Sequence, residues 1–253
     1  MNEDPALLRR FIEENSEAAF RELVERRIDF VYAAALRQVG GDTHLAQEVV
    51  QSVFIDLARK ARSLAPRPNL TGWLYTSVRF AAAKARRSQA RRLNHESEAH
   101  AMEKILSTPS ATEANWNELR PVLDEAMHEL READREAILL RFFEGRSLAE
   151  IGAAVGVAEN AARMRVDRAL EKLRLRLADR GITSTAAALC AALAMQPAVA
   201  APAGLAGNVA GLSLAGVTSG SGLVAARQLF TFMSAGKILA GSGVLFLIVA
   251  GGL

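Results

Sequence analysis

SLAEIGAAVGVAENAARMRVDRALEKLR, residues Ser147 to Arg174, is spaced as a helix, a tight turn and a second, basic helix. Ser147 and Glu150 stand at the positions of a capping box, in which each side chain satisfies the other residue's backbone N–H. Gly156 supplies the turn. Leu148, Ile151, Val155, Val157, Ala162, Val166, Ala169, Leu170 and Leu173 recur at the i, i+3, i+4 spacing of a buried face. Arg165, Arg168 and Lys172 fall on the opposite side. The plainer reading is a solvated basic helix in a small bundle, but cap, glycine and apolar face agree with one another. That agreement points to a helix-turn-helix, whose second helix lies in the major groove, where Arg or Lys reaches guanine edges and phosphates.

Composition sets the scale: 253 residues, half of them apolar, suffice for one or two domains with real cores. The net charge of +3 conceals a local excess, for ten Lys or Arg lie between Ile55 and Arg92 against the single acid Asp56. Such a run is the electrostatic footprint of a polyanion partner. The lone Cys190 excludes a disulfide framework, and charges interrupt every apolar run near the N-terminus, so no signal peptide is expected. Residues 1–178 are expected in the cytoplasm. The four histidines (His44, His95, His100, His128) lack metal-ligand spacing and no phosphate-cradling glycine loop occurs, so neither an enzyme nor a cofactor is expected.

The fold expected from the pattern is all-α. Asp4-Pro5 reads as an N-cap with proline at the first helical position, opening a helix to Ile12. A second helix spans Ser16 to Val39 and stops at Gly40-Gly41. A third, from about His44 to Ala61, turns Leu45, Val49, Val50, Val53, Phe54 and Leu57 inward and Gln47, Glu48, Gln51 and Asp56 outward. After a loop with two prolines (Ser63 to Thr71), a fourth helix runs from Gly72 to about Arg92. Its aromatic start and basic end suit melted nucleic acid, where rings stack on bases and cations follow the backbone, although core positions are the simpler assignment for Trp73, Tyr75, Val78 and Phe80. Leu93 to Glu118 reads as a flexible linker, able to span roughly 85 Å if extended.

HLAQEVVQSVFIDLARKA (His44 to Ala61), LTGWLYTSVRFAAAKARR (Leu70 to Arg87) and LREADREAILLRFFEGRSLAEIGAAVGVAENAARMRVDRALEKLR (Leu130 to Arg174) together resemble the bacterial RNA polymerase sigma factors of the extracytoplasmic-function (ECF) type. The resemblance covers about residues 5 to 178. It implies a region 2-like domain at 1–92, a linker at 93–118 and a region 4-like helix-turn-helix domain at 119–178. It further implies core RNA polymerase and promoter DNA as partners, with an anti-sigma factor as a third. Gln47, Glu48, Gln51 and Asp56 match the polymerase-facing surface. The Ser63 to Thr71 loop, with Asn69 and the adjoining Trp73, matches the part that captures a flipped −10 base, and Lys84, Arg86 and Arg87 would hold the backbone. Asn160, Arg163, Arg165, Arg168 and Lys172 would meet the −35 element, Arg163 lying nearest the apolar edge. Two departures stand out: Gln47 and Ser52 replace acids common in the polymerase-binding helix, and Ala158 replaces a Ser or Thr cap worth about 1 kcal/mol.

The tail, 179–253, is Ala/Gly-rich and apolar, with Arg227 and Lys237 its only charges after Gly181. Ile238 to Leu253 is uncharged but about 24 Å long as a helix, short of a hydrocarbon core of about 30 Å. Ala186 to Ala206 is long enough but carries Pro197 and Pro202, and follows Arg174, Arg176 and Arg180 as a positive-inside flank. Three readings stand open: an inner-membrane anchor of one or two spans, an apolar segment that packs on the sigma domains or on a partner, and a disordered extension. Two rivals to the sigma reading are an operator-binding helix-turn-helix regulator, which has no use for His44 to Arg92, and a membrane-bound interaction protein.

Overall fold

The computed structural model describes residues 3–96, 116–195 and 199–218, and every regular element among them is helical. In chain order these are α1 (Asp4–Glu13), α2 (Glu17–Gln38), α3 (Thr43–Leu64), α4 (Thr71–Glu96), α5 (Trp116–Glu129), α6 (Glu132–Ile138) running into a π turn (Leu139–Phe143), α7 (Leu148–Val155), α8 (Glu159–Ala178), α9 (Ala186–Ala194) and α10 (Leu205–Thr218). Helix α4 reaches four residues past Arg92, and α5 begins before Leu119. Residues 97–115, the middle of the expected linker, lie outside the described residues.

Local chemistry explains several helix starts. Ser16 Oγ accepts from the Ala19 N–H at 3.3 Å and Asp42 Oδ1 from the Leu45 N–H at 2.9 Å, each satisfying a donor that a helix N-terminus leaves without a partner. The capping box at Ser147 forms as expected, with Glu150 N–H on Ser147 Oγ at 3.2 Å and Ser147 N–H on Glu150 Oε2 at 2.8 Å. Ala158 does stand at an N-cap without a side-chain bond. Asp4 departs from expectation: the N-cap position falls on Glu3, and the Asp4 carboxylate is buried against Arg27 instead. A buried cation close by outcompetes a helix terminus for the same carboxylate.

Two modules result. Helices α1–α4 bury Phe20, Leu23, Val50, Phe54, Leu57 and Tyr75 among others, and α5–α8 bury Leu123, Met127, Ile138, Ile151 and Leu173. The buried side chains of both, with those of α9 and α10, belong to one cluster. The modules are packed against each other through α2 with α5 and α4 with α6 and the π turn.

Among the described residues no helix is long and apolar enough to cross a membrane. The span expected over Ala186 to Ala206 is interrupted. Helix α9 has 9 residues, about 14 Å against a hydrocarbon core of about 30 Å, and Pro202 and a left-handed Gly204 (φ 80°) intervene before α10. The second candidate span, Ile238 to Leu253, lies outside the described residues.

Gly156 closes α7 in the left-handed region (φ 71°), and the chain then doubles back so tightly that a Cβ on Gly152 would lie 2.6 Å from the Val157 carbonyl oxygen. Gly152→Ala should therefore destabilise the helix-turn-helix by about 1–3 kcal/mol, read as a lowered midpoint of thermal unfolding. Gly72→Ala, whose Cβ would meet only Glu136 Oε1 at 3.8 Å, should leave the midpoint nearly unchanged.

Candidate nucleic-acid and polymerase interface

Helix α8 presents its basic face as the sequence indicates. Asn160, Arg163, Arg168 and Lys172 are exposed, while Ala162, Val166, Ala169, Leu170 and Leu173 are buried. Arg165 is half-buried and Arg163 exposed, which reverses their expected order: Arg165, not Arg163, sits at the edge, beside the α6 carboxylates. Arg131, Arg165, Arg168 and Lys172 line a shallow cleft around Asp134, which accepts from Lys172 Nζ at 2.5 Å. Four cations around one carboxylate leave a surplus of positive charge suited to phosphate.

Helix α4 carries a second basic face. Phe80, expected in the core, is 69% exposed. It lies at the i, i+4, i+7, i+11 spacing with Lys84, Arg87 and Arg91, all exposed, so that a bare ring heads a stripe of cations on one helix face. Phe80 is thus an exposed ring where core was the simpler assignment. The signal that could have found it is the phase of this basic stripe, since Phe80 falls on the same face. Arg86 is exposed on an adjoining face and Trp73 is half-buried, whereas Tyr75 and Val78 are core as expected.

Asn69 is only 3% exposed. Its Oδ1 accepts from the Thr71 N–H at 3.2 Å, which caps the entry to α4, and the second module lies over this entry. Thr71 Oγ1 donates to Glu144, which also accepts from Arg27 Nη1 at 2.7 Å and from Arg146 Nε at 2.8 Å. Arg27 in turn donates to Asp4. Burial opposes the Arg27 charge, but Glu144 and Asp4 outweigh it and raise its pKa. Nearby, Glu136 is raised by burial.

A second junction centres on Asp124. It accepts from Tyr75 OH at 2.5 Å and from Arg37 Nε at 3.2 Å, and the Arg37 guanidinium lies 4.9 Å from the Phe143 ring centroid. Burial lifts the Tyr75 phenol well above its ordinary value. The Tyr75 ring stacks on His128, with centroids 4.9 Å apart.

The polymerase-facing residues assigned on α3 occupy an unexpected setting. Gln47, Glu48, Gln51 and Asp56 are all half-buried, and α10 packs along α3 and α2.

Residues 23–92 match the family described as Sigma-70 region 2, and residues 126–175 match Sigma-70, region 4. The RNA polymerase sigma factor CarQ of Myxococcus xanthus is 32% identical over 163 residues, spanning 64% of this chain and 90% of that one. The ECF RNA polymerase sigma factor SigE of Mycolicibacterium smegmatis is 30% identical over 157 residues, 60% of this chain and 59% of its own. Among solved structures, the sigma factor RpoE of Bartonella quintana, crystallised with the anti-sigma factor NepR, aligns over 63% of this chain and 96% of its own, with 24% identity and a TM-score of 0.30. The chain belongs to the sigma-70 family, in its ECF type. It directs RNA polymerase in transcription initiation.

Burial, with Arg79 and Arg135 close by, lowers the His128 pKa to about 4. Between the unfolded value near 6.5 and about 4, the unfolded chain binds a proton there that the folded chain does not, so stability falls as pH falls through this window. His128→Phe, which keeps a ring against Tyr75, should lose this part of the pH dependence. The check is a comparison of denaturant midpoints for the two proteins from pH 7 to pH 4, which should converge in slope above pH 6.5.

Proposed function

We propose that α8 reads the promoter −35 element and that the 63–71 loop and the exposed face of α4 engage the opened −10 element, with Phe80 stacking on a base. The observation that carries this reading is the stripe of Phe80, Lys84, Arg87 and Arg91 on one side of α4, which combines a stacking surface with backbone-tracking charge. Lys84, Arg86 and Arg87 contact phosphates. Gln47, Glu48, Gln51 and Asp56 on α3 meet core polymerase. Because the loop residue Asn69 lies beneath the second module, the two modules must part before promoter engagement. The protein performs no chemistry itself; His128, for example, is taken up by the stack on Tyr75, and phosphodiester synthesis is the polymerase's. Its body works in the cytoplasm, where polymerase and DNA are, and an anti-sigma factor that binds the packed modules would hold them together.

Run-off transcription with bacterial core polymerase, the full chain and fragmented genomic DNA tests the reading: discrete start sites that require the added protein support it, and DNA binding without new starts favours an operator-binding regulator. Reversing Arg165 and Arg168 to Glu should abolish promoter-specific starts while core-polymerase affinity stays within about twofold, because the two functions lie on different modules. Ala at Lys84, Arg86 and Arg87 should weaken promoter complexes and flatten the log–log salt dependence by about 0.7 for each phosphate of the opened strand no longer neutralised. Binding isotherms from low to moderate salt give that slope directly.

A further inference from the structure

Helix α10 is a poor helix by itself. Its 14 residues, LAGNVAGLSLAGVT, include three glycines and no charge, each glycine costing about 1 kcal/mol relative to Ala in a helix interior, and isolated helices of this length are marginal in water. It is helical because it is docked: Val209, Ala210, Ser213 and Leu214, on one face, are between 0% and 7% exposed. The Ser213 hydroxyl donates to the Val209 carbonyl at 2.7 Å, so the small, buried face brings no unsatisfied polar group to the contact.

The surface it covers is α3 and the neighbouring side of α2. The segment leading into α10 is fixed there too, where Asp29 Oδ1 on α2 accepts from the Ala201 N–H at 2.8 Å. Tyr32 and Leu36, three and seven residues beyond Asp29, lie on the same side of α2; Tyr32 is 4% exposed. On α3, none of the four polar residues assigned to polymerase is exposed, while Ser52, Arg59 and Lys60 of the same helix are.

We infer that α10 is an intramolecular occupant of the polymerase-docking surface of α2 and α3, and that core polymerase must displace it. The inference rests on the sigma-factor reading. A weak, uncharged helix suits the role, since it packs on this surface yet gives way to a partner that buries more. The free chain is then self-inhibited.

Hydrogen exchange on the full chain, alone and with core polymerase, tests this directly: residues 205–218 should be protected in the free protein and lose that protection in the complex. Retained protection in the complex overturns the inference. Two variants test it in opposite directions by core-polymerase affinity. Ala210→Glu with Ser213→Glu puts two charges on the buried face and should bind at least fivefold tighter than the parent. Gly207→Ala, whose Cβ meets nothing within 4 Å, strengthens α10 and should bind up to about fivefold more weakly, the ratio that corresponds to the propensity gain of Ala over Gly. Unchanged affinity in both variants overturns the inference, as does weaker binding by the double-Glu protein, which would make α10 a structural part of the first module. If neither the parent nor the double-Glu protein binds polymerase, the sigma reading itself fails.

Discussion

The arrangement of the two modules depends on one buried cation. Arg27 of α2 is 7% exposed and is held by Asp4 from α1 and by Glu144 at the end of the π turn, which also binds Thr71 at the head of α4 and Arg146. A guanidinium out of water is costly unless every donor direction is matched, and removing one partner of such a cluster typically costs about 3–5 kcal/mol. The cluster therefore fixes geometry more than it adds net stability. It ties the N-terminal helix, the start of the basic helix and the helix-turn-helix module into one arrangement.

The Asp124 junction repeats this logic with other chemistry. Arg37 and Tyr75 from the first module converge on a carboxylate of the second, and the guanidinium also lies against Phe143. Both junctions are polar and directional. The result is a closed chain in which Asn69 is buried at the junction, while α8 and the Phe80 stripe on α4 keep exposed, basic faces.

The tail alters how the polymerase side is understood. An Ala/Gly helix from the tail lies across α3 and α2, and the assigned polar positions of α3 are half-buried. Its helicity comes from contact. The apolar composition that suggests a membrane segment also suits a short docked helix, and over Ala186 to Ala206 the run is broken by Pro202 and left-handed Gly204.

Local rules in the sequence determined the first four helices and the helix-turn-helix with its capping box, because capping, glycine turns and 3.6-residue periodicity act within a few residues. The order of motifs carried the family. The basic surfaces of α4 and α8 were legible too, since a run of cations cannot be buried together. Periodicity could not settle Phe80, whose face of α4 is decided by which neighbours pack there, nor Asp4, which left a local cap for a cation 23 residues away. It could not show the module junctions or the tail's attachment either: Arg27 with Glu144, Tyr75 with Asp124 and, in the tail, Ala201 with Asp29 join residues 49 to 172 apart. Pairings at that range follow from the packing of whole helices. Tertiary structure therefore decided which polar groups are shared between modules, and which surface the tail covers.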